Sequence, residues 1–238
     1  MATFVSGAWN GNGTSVVVTR GTVQEGDFIL GFGFCDNDGS DSSLTLPSGF
    51  GLISSSNGTG PGTSNSAGIC RVSSKVATAS EPSTYTFGGD ASSANVSSVL
   101  IFRGVDNINP FVAGPTWSHP AAASTASLVA PTVTPTRPGT LVSGFMQEGV
   151  AGGATLSNPS GMSAGIMFEY GSFLGQLFAY QANVPASATG TKTSTASGVG
   201  NTATQGYLTV SMVLADAGYQ EQLIVAPNRA VVSRASSW

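Results

Sequence analysis

The chain has 238 residues, of which only 8% are Asp, Glu, Lys or Arg, against about 25% in an average soluble domain. Its net charge of −4 comes without any basic run, which argues against binding nucleic acid through phosphates, and its sparse titratable groups argue against a catalyst. No apolar stretch approaches the roughly 18 residues that span a bilayer, and Met1–Trp9 lacks the basic and apolar regions of a signal peptide, so a product made in the cytoplasm is expected.

Helical periodicity is nearly absent, and what recurs is a β-branched or aromatic run closed by Gly, Pro, Asn or Ser. In chain order the runs Thr14–Thr19, Asp27–Cys35, Gly51–Ser54, Gly68–Val76, Ser83–Phe87 and Val96–Arg103 read as strands. A second set follows at Ser127–Val133, Thr140–Gln147, Ala164–Tyr170, Phe173–Ala182 and Gln205–Leu214. Phe28–Phe34 and Val99–Phe102 are apolar on both faces, as suits central strands covered on both sides. Cys35 and Cys70 lie in or beside such runs and read as buried thiols, because a disulfide framework would need several pairs in a shorter chain.

The two sets echo each other. Gly26-Asp27-Phe28-Ile29-Leu30 precedes Leu46-Pro47-Ser48-Gly49-Phe50, and Gly139-Thr140-Leu141-Val142 precedes Asn158-Pro159-Ser160-Gly161-Met162. Thr140 minus Asp27 is 113, and Pro159 minus Pro47 is 112. The expected fold is an all-β, jelly-roll-like sandwich built from two similar halves, near residues 22–112 and 138–215 of a single domain over 1–217. Because the stretch Asn109–Pro138 carries Trp117 and its own apolar run, interleaved halves are favoured over two tandem sandwiches. Residues 218–238 are expected to form an extended C-terminal arm.

The candidate chemistry is thin. His119 is the sole histidine and has no second His, CxxC or HExxH around it, so zinc lacks ligands, and no GxSxG elbow is present. The loop Asp36-Asn37-Asp38-Gly39-Ser40-Asp41 resembles the start of a calcium loop, yet its twelfth position is Pro47 instead of a bidentate Glu, which leaves a turn rich in turn-forming residues. No catalytic residue, metal or other cofactor is therefore assigned. A glycan platform would draw on Trp9, Trp117 and Tyr219 with Asn10, Asn12 and Asn107. In the arm, Tyr219, Leu223, Ile224, Val225, Arg229, Val231, Val232, Arg234 and Trp238 are the candidate partner-binding residues. Leu223-Ile224-Val225 has the character of an added strand that Pro227 ends.

Glu25-Gly26-Asp27-Phe28-Ile29-Leu30, Leu46-Pro47-Ser48-Gly49-Phe50, Thr84-Tyr85-Thr86-Phe87 and Arg103-Gly104-Val105-Asp106-Asn107-Ile108-Asn109-Pro110 occur in that order. Over about residues 22–112 this resembles a β-sandwich module of tailed-bacteriophage structural proteins, also present in some bacterial surface proteins. The resemblance implies a non-enzymatic virion protein, a capsid decoration or minor head protein with other virion proteins, the major capsid protein among them, as partners. Its alternatives are a tail or fibre component and a carbohydrate-binding adhesin. A homo-oligomer, a trimer or another cyclic form, is expected, and neither nucleic acid nor membrane is expected as a partner.

Overall fold

A computed structural model describes residues 1–11, 14–36, 44–57, 68–89, 94–118, 127–148, 155–170, 174–197 and 207–218. Among these residues the chain is all strand, turn and loop, as expected for an all-β sandwich. The strands are β1 (Thr3–Gly11), β2 (Ser15–Thr19), β3 (Phe28–Asp36), β4 (Gly51–Asn57), β5 (Gly68–Val76), β6 (Thr84–Gly88), β7 (Ala94–Arg103) and β8 (Phe111–Ser118). They continue with β9 (Ser127–Ala130), β10 (Gly139–Glu148), β11 (Thr155–Leu156), β12 (Ser163–Tyr170), β13 (Leu174–Val184), β14 (Lys192–Ser197) and β15 (Tyr207–Ala215).

Two five-stranded antiparallel sheets carry the fold, in the orders β1-β7-β3-β5-β4 and β12-β13-β10-β15-β8. Read from its other edge, the second order is β8-β15-β10-β13-β12. Each strand of the first half thus has a counterpart at the same place in the second. The interleaving favoured from the sequence is corrected here, because each large sheet draws all its strands from one half of the chain. The repeat itself is real, and its spacing is 112 along the central strands. Leu30 pairs with Leu100 as Val142 pairs with Met212, which places Thr140 opposite Phe28 in the repeat and not opposite Asp27.

Local details repeat at the same spacing. Phe50 N donates to Pro47 O and Met162 N donates to Pro159 O, both at 3.1 Å. Gly49 and Gly161 sit at φ +81° and +75° in these turns, a backbone region that glycine enters without steric cost. The edge strands bulge between Leu52 and Ser54 in one half and between Ala164 and Ile166 in the other.

The two sheets pack face to face. Phe28, Leu30, Phe32 and Phe34 of β3 and Val96, Leu100 and Phe102 of β7 meet Val142, Met146, Phe178, Val210, Met212 and Leu214 from the other half. Each outer face is then covered by its own small sheet. Val16, Val18, Tyr85 and Phe87 of the pair β2-β6 cover Ile29, Val99 and Ile101. Leu128, Ala130, Leu156 and Ala196 of the sheet β11-β14-β9 cover Phe145 and Leu177. Four layers result, and the alternation of buried and exposed positions in β2, β6, β9 and β14 is that of strands with one face on the core.

The modules meet as the halves of a two-fold arrangement. Edge strand β1 lies over β12, with Phe4 stacked on Tyr180 at 4.9 Å and Trp9 on Phe168 at 4.1 Å. At the opposite seam β8, the counterpart of β1, lies against β4, and Trp117 Nε1 donates to Ser54 Oγ at 2.9 Å. Trp9 and Trp117 are equivalent, each sitting opposite its own module's β7 or β15 at Ser98 and Val210.

The centre of the interface is close-packed. Phe32 and Phe178 have ring centroids 4.1 Å apart, and a β-carbon on Gly144 would lie 2.7 Å from Phe178 Cε1. Gly144→Ala should therefore lower stability by about 1–3 kcal/mol through overpacking, and Phe178→Ala by about 3–5 kcal/mol through loss of a buried ring. Urea unfolding of both variants checks this. If Gly144→Ala is as stable as the parent, Phe178 does not seat on that backbone.

Candidate functional site

The strands of both modules share two poles. At one pole stand the ends Phe28, Gly51, Val76 and Arg103 of the first module and Gly139, Ser163, Val184 and Ala215 of the second. Two of the motifs that carry the resemblance, those around Asp27 and Arg103–Pro110, meet here. Arg103 Nε and Nη2 donate to Asp27 Oδ1 and Oδ2 at 2.8 and 2.9 Å, a bidentate pair of the strong kind. Asp27 Oδ2 also accepts Gln24 N at 2.8 Å. Burial would raise the Asp27 carboxyl, but the Arg103 guanidinium and the Gln24 amide outweigh it and hold the group below the usual carboxylate range.

The loop from Gly104 to Pro110 joins the modules and is clamped from several sides. Asp106 Oδ1 accepts Ile108 N at 3.1 Å and Asn109 N at 3.3 Å, while Asp106 Oδ2 accepts Arg137 Nη2 at 2.7 Å. Asn107 Nδ2 donates to Gly26 O at 2.8 Å. Asp106 N donates to Ala215 O at 2.9 Å and Ala217 N to Gly104 O at 2.7 Å, so the end of β15 is tied to the same loop. Gly104, at φ +77°, leaves no room for a side chain, since its β-carbon would meet Met1 O at 2.7 Å. The Arg137 guanidinium, with the Asn109 and Ile108 amides, lowers the Asp106 carboxyl. In the middle of this fixed loop Ile108 is 88% exposed.

A second polar cluster locks the β2-β6 layer near the same pole. Glu81, its side chain 2% exposed, takes Lys75 Nζ at 2.6 Å, Tyr85 Oη at 2.9 Å and Thr78 N at 2.9 Å. Lys75 Nζ also lies 5.9 Å from the ring centres of Phe50 and Tyr85, within cation–π range. Burial opposes ionisation of Glu81, yet hydrogen bonds from Lys75, Thr78 and Tyr85 with the Lys75 charge hold it low. Burial and the neighbouring Glu81 push the Tyr85 hydroxyl up, which keeps it a donor. Lys75, Glu81 and Tyr85 are thus engaged in holding neighbouring segments together.

The other candidates divide between placed and unplaced. Trp9 is 40% exposed with one face stacked on Phe168, and Trp117 is half-buried at the opposite seam. Asn10 is occupied by Val17 O and Gly11 N, and Asn107 by Gly26 O, so among the described residues no Trp–Asn platform is gathered. Cys35 and Cys70 are buried thiols without a disulfide, and burial pushes the Cys70 thiol up, away from the reactive thiolate. His119, Asn12, residues 37–41 of the acidic loop and the arm residues Tyr219–Trp238 lie outside the described residues. Among the described residues no three His, Cys, Asp or Glu side chains gather as a metal site. Gln147 Oε1 and Gln176 Nε2 are buried without a hydrogen-bond partner, but the strand alternation turns them to opposite faces of their sheet, so they form no joint site. Sequence reading missed Ile108 and the Lys75–Glu81–Tyr85 cluster. The first sits inside a quoted motif in which it was given no role of its own, and the second joins residues whose meeting depends on the pairing of separate strands.

Asp27, Glu81 and Asp106 all titrate below their ordinary values in the fold. Their linked stability is thus complete above the unfolded values of about 3.9–4.3 and is lost as pH falls from there through the lower folded values. Unfolding midpoints measured from pH 7 to pH 2 should drop most steeply below about pH 4, and Asp27→Asn should be less stable at pH 7 with a shallower acid limb. An acid limb unchanged in Asp27→Asn would show that its ion pair does not contribute. Comparison of the chain with protein-family models, curated proteins and solved structures returned no significant match.

Proposed function

We propose that this chain is a non-enzymatic structural protein of a tailed-bacteriophage virion, a capsid decoration or minor head protein that binds the particle surface and uses residues 219–238 as its partner-binding arm. A tail or fibre location is the variant of this reading that the same motifs allow. The observation that carries it is the use made of the motif residues. Asp27, Arg103, Asp106 and Asn107 fix the joint between the modules, which is a scaffold role. The charge-poor composition supports it as well, since the cores of subunit interfaces are depleted in Lys, Glu and Asp. A homo-oligomer on a symmetric particle fits this role.

A second reading, a carbohydrate-binding adhesin, is favoured by Trp9, whose exposed ring at the β1/β12 seam offers a stacking surface. The readings separate cleanly. Under the first, mass spectrometry of purified particles finds the chain at stoichiometric level. Deleting residues 219–238 then abolishes incorporation while shifting the melting temperature by no more than about 2 °C, the range of a surface change in a chain of this size. Under the second, a glycan array shows saturable binding that Trp9→Ala removes. Particles that lack the full chain would contradict the proposal.

A further inference from the structure

We infer that the joint pole, centred on Ile108, is the seat on which the C-terminal arm of a second copy docks. This rests on the reading of residues 219–238 as a partner-binding arm and adds where the arm binds. A lone exposed apolar side chain is ordinary; the setting of Ile108 is not. Its backbone is held by Asp106, and the flanking Asn107 and Asn109 are held by Gly26 and Arg137. The side chain is therefore presented in one place, and little ordering entropy is left to lose on contact. Met1 and Val76, 59% and 37% exposed, stand at the same pole. They are reached from the loop through Gly104, which abuts Met1, and through Gly26 and Ala77, which hydrogen-bond beside Val76.

The charges of this pole favour its burial. Asp27 is paired with Arg103 and Asp106 with Arg137, and Asp216 Oδ1 accepts Ala2 N at 2.7 Å. Covering Asp27 and Asp106, which are already ion-paired within the chain, avoids stranding those two charges in an interface. Ile108 thus stands at this pole among exposed polar side chains, Glu25, Arg103, Asn107 and Asn109, with two of the pole's carboxylates held in ion pairs.

The arm starts from this pole, because Ala217 is bonded to Gly104 and Gly218 follows it. Its apolar residues are placed for reach. At about 3.3–3.6 Å per extended residue, Val225 lies up to about 25 Å beyond Gly218 and Trp238 up to about 70 Å. A seat beside the root would be reached in the same chain only by doubling back, whereas a facing copy lies within the span. Donor and acceptor at one pole make the contact isologous, so two copies meet pole to pole and exchange arms around a two-fold axis. Leu223, Ile224 and Val225 or Trp238 then cover Ile108.

The test places photoreactive benzoylphenylalanine at position 108 of the full chain and mixes 14N- and 15N-labelled protein before irradiation. The expected product is a mixed-isotope dimer cross-linked from position 108 to a peptide within 219–238, and Ile108→Asp should reduce the dimer at least tenfold in sedimentation without changing the circular dichroism. Cross-links to the arm only within single-isotope chains, cross-links elsewhere, or none would each overturn the seat. If the arm deletion still abolishes particle incorporation in that case, the partner-binding role of the arm stands and only its seat is lost.

Discussion

The structure depends on the contact between two aromatic rings and one glycine. Phe178 lies on the bare backbone of Gly144 and against Phe32 of the opposite sheet, so the two large sheets approach through a layer of rings. Phe102, Phe28, Phe4 and Tyr180 extend that layer toward the joint pole, where edge-on contacts at 5.6–6.4 Å lock neighbouring rings. Such arrangements gain beyond their buried area because ring edges meet ring faces. Gly7 serves the seam in the same way, since a side chain there would collide with Ile166, and one at Gly165 would press on Phe178 O and Leu100.

Burial on both faces of both sheets explains the composition. A sheet covered twice has few positions where a charged side chain reaches water, and the polar groups left inside must be small and paired. The two outer layers solve this differently. Over the first sheet, Phe50 and Phe87 fill the gap above Gly31, and Phe87 and Leu44 that above Gly33. Over the second, the corresponding Ser143 pairs with Ser211 at 3.1 Å, Thr209 donates to Val129 O and Ser194 to Ser157 O, both at 2.8 Å. Hydroxyls there replace rings, which is why the repeat is faint in sequence while its pairing register is plain in space.

That contrast marks what was legible. The central strands could be read because apolar residues on both faces leave one interpretation, and the repeat was visible through Pro47 and Pro159, which close identical turns. The strand β1 was missed because Gly7 and the half-buried Ser6 break its alternation. In β8 Pro115 interrupts the run, and β14 is built from Lys, Thr, Ser and Ala with hardly an apolar residue. All three owe their place to neighbours distant in sequence, since β1 and β8 pair with the last strand of their own module. Interleaved halves were favoured for a related reason. The apolar run at Ser127–Val133 looked integrated, and it is, but into the second module's own covering sheet. The joint pole was half legible, because Asp27 and Arg103 stood in the quoted motifs but only pairing shows that they meet.

A shared aromatic interface should couple the two modules into one thermodynamic unit despite their separate sheets. The most direct test is native-state hydrogen exchange in low denaturant, following amides of β3 and β10 in the same sample. The account predicts that both strands exchange through a single global opening, with equal free energies and equal denaturant dependence. Two distinct openings, one module exchanging while the other stays protected, would contradict it.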